Sequence, residues 1–438
     1  MKEPTLSEIE NAFQPAKEID APARFAGRSH AVSDCYYALI AEGANIAIVG
    51  NRGIGKTSLA RQLIHMATGD NSLLAKLDLP STERHDFVTM YFACGDAVET
   101  SDHLLERLLT NGDCLRDWIY DIPKAKKEFE SYQPKFNVGV VALNGEKKTE
   151  HESQTAIVQH SVDAVFTNVV RELASQKLAR HGVLIVVDEF DRIGDPKGFA
   201  SLLKSIATNV PKVKFCLVGV AQDIKELMKE HESTDRLFAG SIVRLPQMND
   251  DELTEIIRTA ESSINNFITF DQDATKRLAS LAQGHPYMVH LVGKYSLRHA
   301  FTQKTSVITA QMVNDTLKSI AERGADPVLE GRYQKAVASS QQRESVLRAL
   351  AANISKDGEV WTTEAYKVAL DDDVDNSSQY VGQLVTEEYG AEIEKIRERY
   401  YRFKDSLFAA YVNARPRQFP KSRTNALTAT NQPAFRTD

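Results

Sequence analysis

Apolar positions along the chain follow two alternating rhythms. Short continuous runs rich in β-branched residues stand at "NIAIVG" (45–50), "DFVTMYFAC" (86–94), "GVLIVVDEF" (182–190), "VKFCLVGVA" (213–221) and "SIVRLP" (241–246). Around them apolar residues recur at helical spacing, as in "RSHAVSDCYYALIAEG" (28–43), which Gly43 is placed to end, and "TSLARQLIHMA" (57–67). Strands apolar at nearly every position must be covered on both faces. The pattern therefore predicts an α/β fold with a parallel five-stranded sheet.

The rhythm changes along the rest of the chain. Between 112 and 150 Pro, Gly and Lys are mixed with one short alternating run, "FNVGVVAL", which reads as an insertion or peripheral hairpin. From 250 to 330 the periodic segments are all helical, and they predict an α-helical lid. In 331–412, "QQRESVLRALAAN", "TTEAYKVAL" and "NSSQYVGQLVTEEYG" read as helices, followed by the strand-like "AEIEKI" and "RYYRFK". Three helices and a β-ribbon fit a winged helix-turn-helix. Residues 413–438, Pro-punctuated and polar, are expected to be a disordered tail. The expected order is thus a sheet domain over 1–249, the lid over 250–330, the winged helix over 331–412, and the tail.

Composition adds bounds. With 438 residues, 42% hydrophobic and 26% charged, the chain has room for two or three packed units. A net charge of −7 makes no demand for nucleic acid, although a local basic face is compatible with it. Cys35, Cys94, Cys114 and Cys216 are scattered and form no CxxC pair, so neither a zinc knuckle nor a disulfide framework is expected. No run approaches the ~18 consecutive apolar residues of a membrane span, and a cytoplasmic protein is the expectation.

The stretch "IVGNRGIGKTS" (48–58) carries the chemistry. "GNRGIGKT" fits G-x-x-x-x-G-K-[ST] from Gly50 through Asn51, Arg52, Gly53, Ile54, Gly55 and Lys56 to Thr57, with Ser58 next. Glycines let successive N–H groups face phosphate oxygens, and the helix starting there adds its positive end. Lys56 can reach the outer phosphates, and the Thr57 hydroxyl can ligate Mg²⁺. The competing reading, a Gly-rich turn at a helix start, does not account for the strand before it and the amphipathic helix after. "VLIVVDEF" (183–190) supplies the complement: Asp188 for the metal, and Glu189 to orient or deprotonate the attacking water. Asp191 and Arg192 follow without an evident role.

These two motifs, in this strand pattern, resemble the AAA+ P-loop ATPases of the branch shared by origin-recognition initiators and STAND signalling ATPases, in particular bacterial ORC-like proteins. The resemblance covers about 25–415. It makes "FAGRSHAV" the segment against the adenine, with Phe25 and Arg28 in the site, and favours ATP with Mg²⁺. It also implies a sensor at Gln222 in "FCLVGVAQDI" and an arginine finger at Arg236 in "HESTDRLF", with Arg244 as competitor. Initiators carry an arginine in a G-x-x-R turn of the lid. Here "GHPY" (284–287) is a G-x-P turn of the STAND type, placing Pro286 at the nucleotide and implying a slow switch. His285 reads as a helix-start residue.

The implied activity is a slow ATPase acting as an oligomeric switch: copies of the chain meet at the ATP site and recruit or regulate a partner protein. The alternative is a DNA-binding loader or a transposition- or replication-type regulator. Its basic strip would comprise Lys395, Arg397, Arg399, Arg402 and Lys404 of the hairpin with Arg415, Arg417, Lys421 and Arg423 of the tail. Against it, the carboxylates of Asp371, Asp372, Asp373 and Asp375 stand at the entrance of the recognition helix.

Overall fold

The structure is a computed structural model and describes residues 3–81, 83–95, 98–111, 114–115, 161–175, 180–220, 234–355 and 358–419. Most of the 112–150 insertion, the "FNVGVVAL" run included, lies outside the described residues. The chain divides into two compact units, 16–256 and 1–15 with 257–438.

The first unit is built on five parallel strands: β1 Ile46–Gly50, β2 Phe87–Ala93, β3 Gly182–Asp188, β4 Val213–Gly219 and β5 Ile242–Leu245. Their order is β2-β3-β4-β1-β5. Every position of β3 and of β4 is buried. Alternation splits the apolar residues between two cores: Ala47, Val49, Val183, Ile185 and Val187 face one, Ile46, Ile48, Leu184 and Val186 the other. The all-apolar runs thus follow from burial on both faces. One end differs from expectation. The helix Ser29–Ile40 stops before Gly43, and the Lys214 ammonium donates to the carbonyl of Ala38 in its last turn and to those of Ala41 and Ala44 beyond it.

The second unit holds the helices Gln272–Ala282, Pro286–Thr302 and Ala310–Arg323, with a short parallel pair, β6 Thr269–Phe270 and β7 Val307–Ile308. The N-terminal helix Leu6–Ala12, closed by a Thr5/Glu8 capping box, belongs to this unit. Phe13 follows it and lies so close to Gly293 that a Cβ there would come within 2.7 Å of the ring.

The chain continues through Pro327–Val337, Gln341–Ala352, Thr362–Leu370, Ser377–Leu384 and Ser406–Ala414. Between these helices, β8 Glu359–Trp361, β9 Ile393–Arg397 and β10 Tyr400–Phe403 pair antiparallel in the order β8-β10-β9. The start of the expected disordered tail is instead fixed. Arg415 is buried and bonds Glu330 through two nitrogens at 2.8 Å, while the Gln418 and Phe419 N–H groups donate to Glu344. Residues 420–438 lie outside the described residues.

Candidate functional site

β1 ends at Gly50 and the helix Lys56–Ala67 begins six residues later. The intervening loop turns on Gly53 (φ +69°) and Gly55 (φ +98°), a left-handed conformation that glycine adopts without strain. The N-cap is Gly55, which has no side chain to claim the leading N–H groups of the helix. Ile54 is buried beneath the loop. Lys56 folds back, its Nζ donating to the Asn51 carbonyl at 3.0 Å. Burial lowers the Lys56 pKa, while Asp191, Asp188 and Glu189 pull it upward. Three carboxylates from the end of β3 thus act on the lysine of the loop.

Arg28, expected at the adenine, is buried, and its guanidinium braces the loop. It donates to the Ile54 carbonyl at 3.2 Å and to the Pro246 carbonyl at 2.5 Å. Its own N–H is held by Glu252 at 2.8 Å, and burial lowers its pKa. Phe25 packs into the sheet's core, and its carbonyl accepts from Lys76 at 2.6 Å. The Ser58 hydroxyl accepts the Ile19 N–H at 3.0 Å and so fastens the segment leading to Phe25 and Arg28 onto the helix.

At the end of β3, Asp188 is only 2% exposed. Its Oδ1 accepts the Glu189 N–H at 2.7 Å and its Oδ2 the Tyr91 hydroxyl at 2.8 Å. Burial, then the neighbouring Asp188, raises the Tyr91 pKa, which keeps the phenol a donor. The Arg61 guanidinium covers the Tyr91 ring at 3.6 Å and pairs with Glu18 at 3.3 Å. Glu189 has φ +53°, a conformation rare for a residue with a side chain, and its carboxylate pairs with Arg192 at 3.1 Å. A Cβ on Gly219, where β4 ends, would come 3.1 Å from Asp191 Oδ1, so Asp191 joins the ends of β3 and β4. Tyr91 and Arg61 are members of the site that sequence reasoning missed. The alternation of β2 could have pointed to Tyr91, a polar tip in an apolar strand two residues before its end.

Arg236 is exposed on the turn Thr234–Phe238 before β5, anchored by buried Phe238. Arg244, on the edge strand β5, is exposed as well. Gln222 lies outside the described residues. Pro286 belongs to the second unit, where it opens the helix Pro286–Thr302 with His285, fully buried, as its N-cap. The expected basic strip is largely paired: Arg397 and Arg402 with Glu359, Arg415 with Glu330, and Arg417 with Asp372. Lys395, Arg399 and Lys404 are exposed.

Among solved structures, a Walker-type ATPase of Pyrococcus abyssi is 14% identical, over 91% of this chain and 98% of its own, with a TM-score of 0.52. That likeness speaks for the fold alone. Cdc6p from Pyrobaculum aerophilum is 11% identical over 92% of this chain and 96% of its own, at a TM-score of 0.46. The ORC1 protein of Aeropyrum pernix, solved in complex with DNA, is 14% identical over 92% and 95%, at 0.45. No curated protein sequence matches the chain. The family described as Novel STAND NTPase 1 matches residues 11–388, most of the chain, which therefore belongs to this family of STAND NTPases.

Proposed function

We propose that the chain binds and slowly hydrolyses ATP and uses the nucleotide to switch its assembly with copies of itself, and through that to recruit or regulate a partner protein. The observation that carries this reading is the parallel register that puts Asp188, Glu189 and Asp191 after β3 at the same edge of the sheet as the glycine loop after β1, where their charge raises the Lys56 pKa against burial. The loop's shape and charge suit a triphosphate. Mg²⁺ fits the donor set of Thr57 and Asp188, where it would neutralise charge on the phosphate oxygens. Lys56 draws the outer phosphates, and Glu189 orients or deprotonates the attacking water. Arg236 of a neighbouring copy, or Arg244 in its place, completes the site from outside.

Two features support a switch over a motor. Glu189 rests against Arg192 at 3.1 Å and must leave it to serve the water. The G-H-P-Y turn offers no arginine for the γ phosphate.

We take the C-terminal helices and the β8-β10-β9 ribbon as a winged helix used for protein contacts, since most of its arginines are already paired. The DNA-binding alternative rests on Lys395, Arg399 and Lys404 and would appear as salt-dependent binding to duplex.

The test compares wild type with Glu189→Gln. The variant should retain ATP but lose turnover by about 10²- to 10⁴-fold, and sizing with ATP and Mg²⁺ should show it as the larger assembly. An unchanged monomer in both proteins would sink the switch, and undiminished turnover in the variant would sink the assigned base.

A further inference from the structure

At the end of the sheet opposite the phosphate loop, two histidines and a glutamate converge. Glu83 and His85 precede β2, and His181 immediately precedes β3. Phe87 is paired with Gly182 in the parallel register, so the two lead-ins lie side by side. Asp188 lies six residues along β3, about 20 Å away at the usual rise of a strand.

Ligand atoms of Glu83, His85 and His181 all fall within 4.8 Å of one another. His181 Nε2 is 3.6 Å from Glu83 Oε1, and the two imidazoles meet edge to face with centroids 5.0 Å apart. His85 is 5% exposed, and neither of its ring nitrogens has a hydrogen-bond partner among the described residues. A buried, unpartnered imidazole is unfavourable unless something satisfies it.

We propose that Glu83, His85 and His181 form a binding site for one divalent transition-metal ion, zinc foremost. Two imidazole nitrogens and one carboxylate oxygen are the donor set such an ion takes. In tetrahedral coordination at ordinary bond lengths, ligand atoms stand roughly 3.4 Å apart. The His181–Glu83 spacing already matches, and the remaining separations close with small side-chain rotations. Water takes the fourth position, on the side of exposed Glu83.

One hydrogen bond changes on binding. The Asp86 N–H now donates to His181 Nδ1 at 2.9 Å, so the neutral ring carries its proton on Nε2. Coordination through Nε2 moves that proton to Nδ1 and gives up the Asp86 bond. The ion in exchange fastens the start of the edge strand β2 to the start of β3. Its role is to hold the sheet margin, and neither nucleotide nor Asp188 is needed for it.

The test uses the full chain stripped of metal by a chelator. Co²⁺ titration should give the visible bands of a tetrahedral ion with one equivalent bound, and Zn²⁺ should displace it and raise the thermal midpoint. Glu83→Gln, at an exposed position, and His181→Asn should each weaken Co²⁺ binding at least about tenfold and remove the zinc-dependent thermal shift, whereas Asp188→Asn should keep both. Lack of Co²⁺ uptake by the wild type, undiminished uptake in both site variants, or its loss in Asp188→Asn would overturn the proposal.

Discussion

Replacing Lys214 with methionine should abolish a pH dependence of stability that the wild-type chain carries. Lys214 lies near the start of β4, 7% exposed, and its ammonium donates to the carbonyls of Ala38 at 3.3 Å, Ala41, and Ala44 at 3.2 Å. These carbonyls close the helix Ser29–Ile40, whose other end carries Arg28 against the phosphate loop. Burial lowers the lysine pKa from 10.5 to about 8, with Glu42 opposing. Below about pH 8 the ammonium is charged in both folded and unfolded chains, and the unfavourable effect of burying it is fully present. As the pH rises from about 8 to about 10.5, the folded chain loses its proton first. The unfolded chain then binds more protons, so stability must rise. Full relief amounts to about 3 kcal/mol, most of which appears between pH 7 and pH 10. For a unit of this size that is roughly 5–10 °C in thermal midpoint. Lys214→Met carries no charge in either state and should lack the rise, whatever its stability at neutral pH. The assay is the difference between wild-type and variant midpoints across that range. Parallel curves would refute the reasoning, because every other titrating group is common to both proteins.

Tyr91→Phe keeps the ring under Arg61 but removes the donor to Asp188, a bond to a charged group worth about 1.5–3 kcal/mol. Steady-state ATPase should fall at least about tenfold while ATP affinity measured without Mg²⁺ holds. Arg192→Ala frees Glu189 from an ion pair that is partly exposed on both sides, so turnover should change by less than about fivefold, and upward if the pair restrains the base. Arg415→Met leaves the Glu330 carboxylate without its cation in a half-buried setting, and the second unit should lose about 3–5 kcal/mol in denaturant titration. A loss below about 1 kcal/mol would mean that the residues after Ala414 are not held by this pair.

The sheet was legible because its strands are buried on both faces, a condition that leaves a continuous apolar signature. Observed strand ends fall within three residues of the sequence expectation. The helix Ser406–Ala414 was not, for a related reason: seven of its nine residues are buried, so "SLFAAYVNA" has no polar face to mark a period. Strand β8, three residues long, is too short to show alternation. Arg415 looked like part of a polar tail because its partner Glu330 stands 85 residues earlier, and nothing local announces the pair.

The site divides along the same line. Gly50 to Thr57, Asp188 and Glu189 are local motifs whose chemistry is fixed by spacing along the chain. What orients them is not local. Tyr91 meets Asp188 across 97 residues, and Arg28 reaches Ile54 and Pro246 across 26 and 218. Arg28 was expected at the adenine because a short motif carries a role without carrying the contacts that decide it. Once the sheet is closed, its buried guanidinium is committed to two carbonyls, that of Ile54 in the loop and that of Pro246 after β5. The pair His85 and His181 follows the same logic at the far end of β2 and β3. Neither histidine has metal-ligand spacing along the chain, and only the parallel register of Phe87 with Gly182 brings them together.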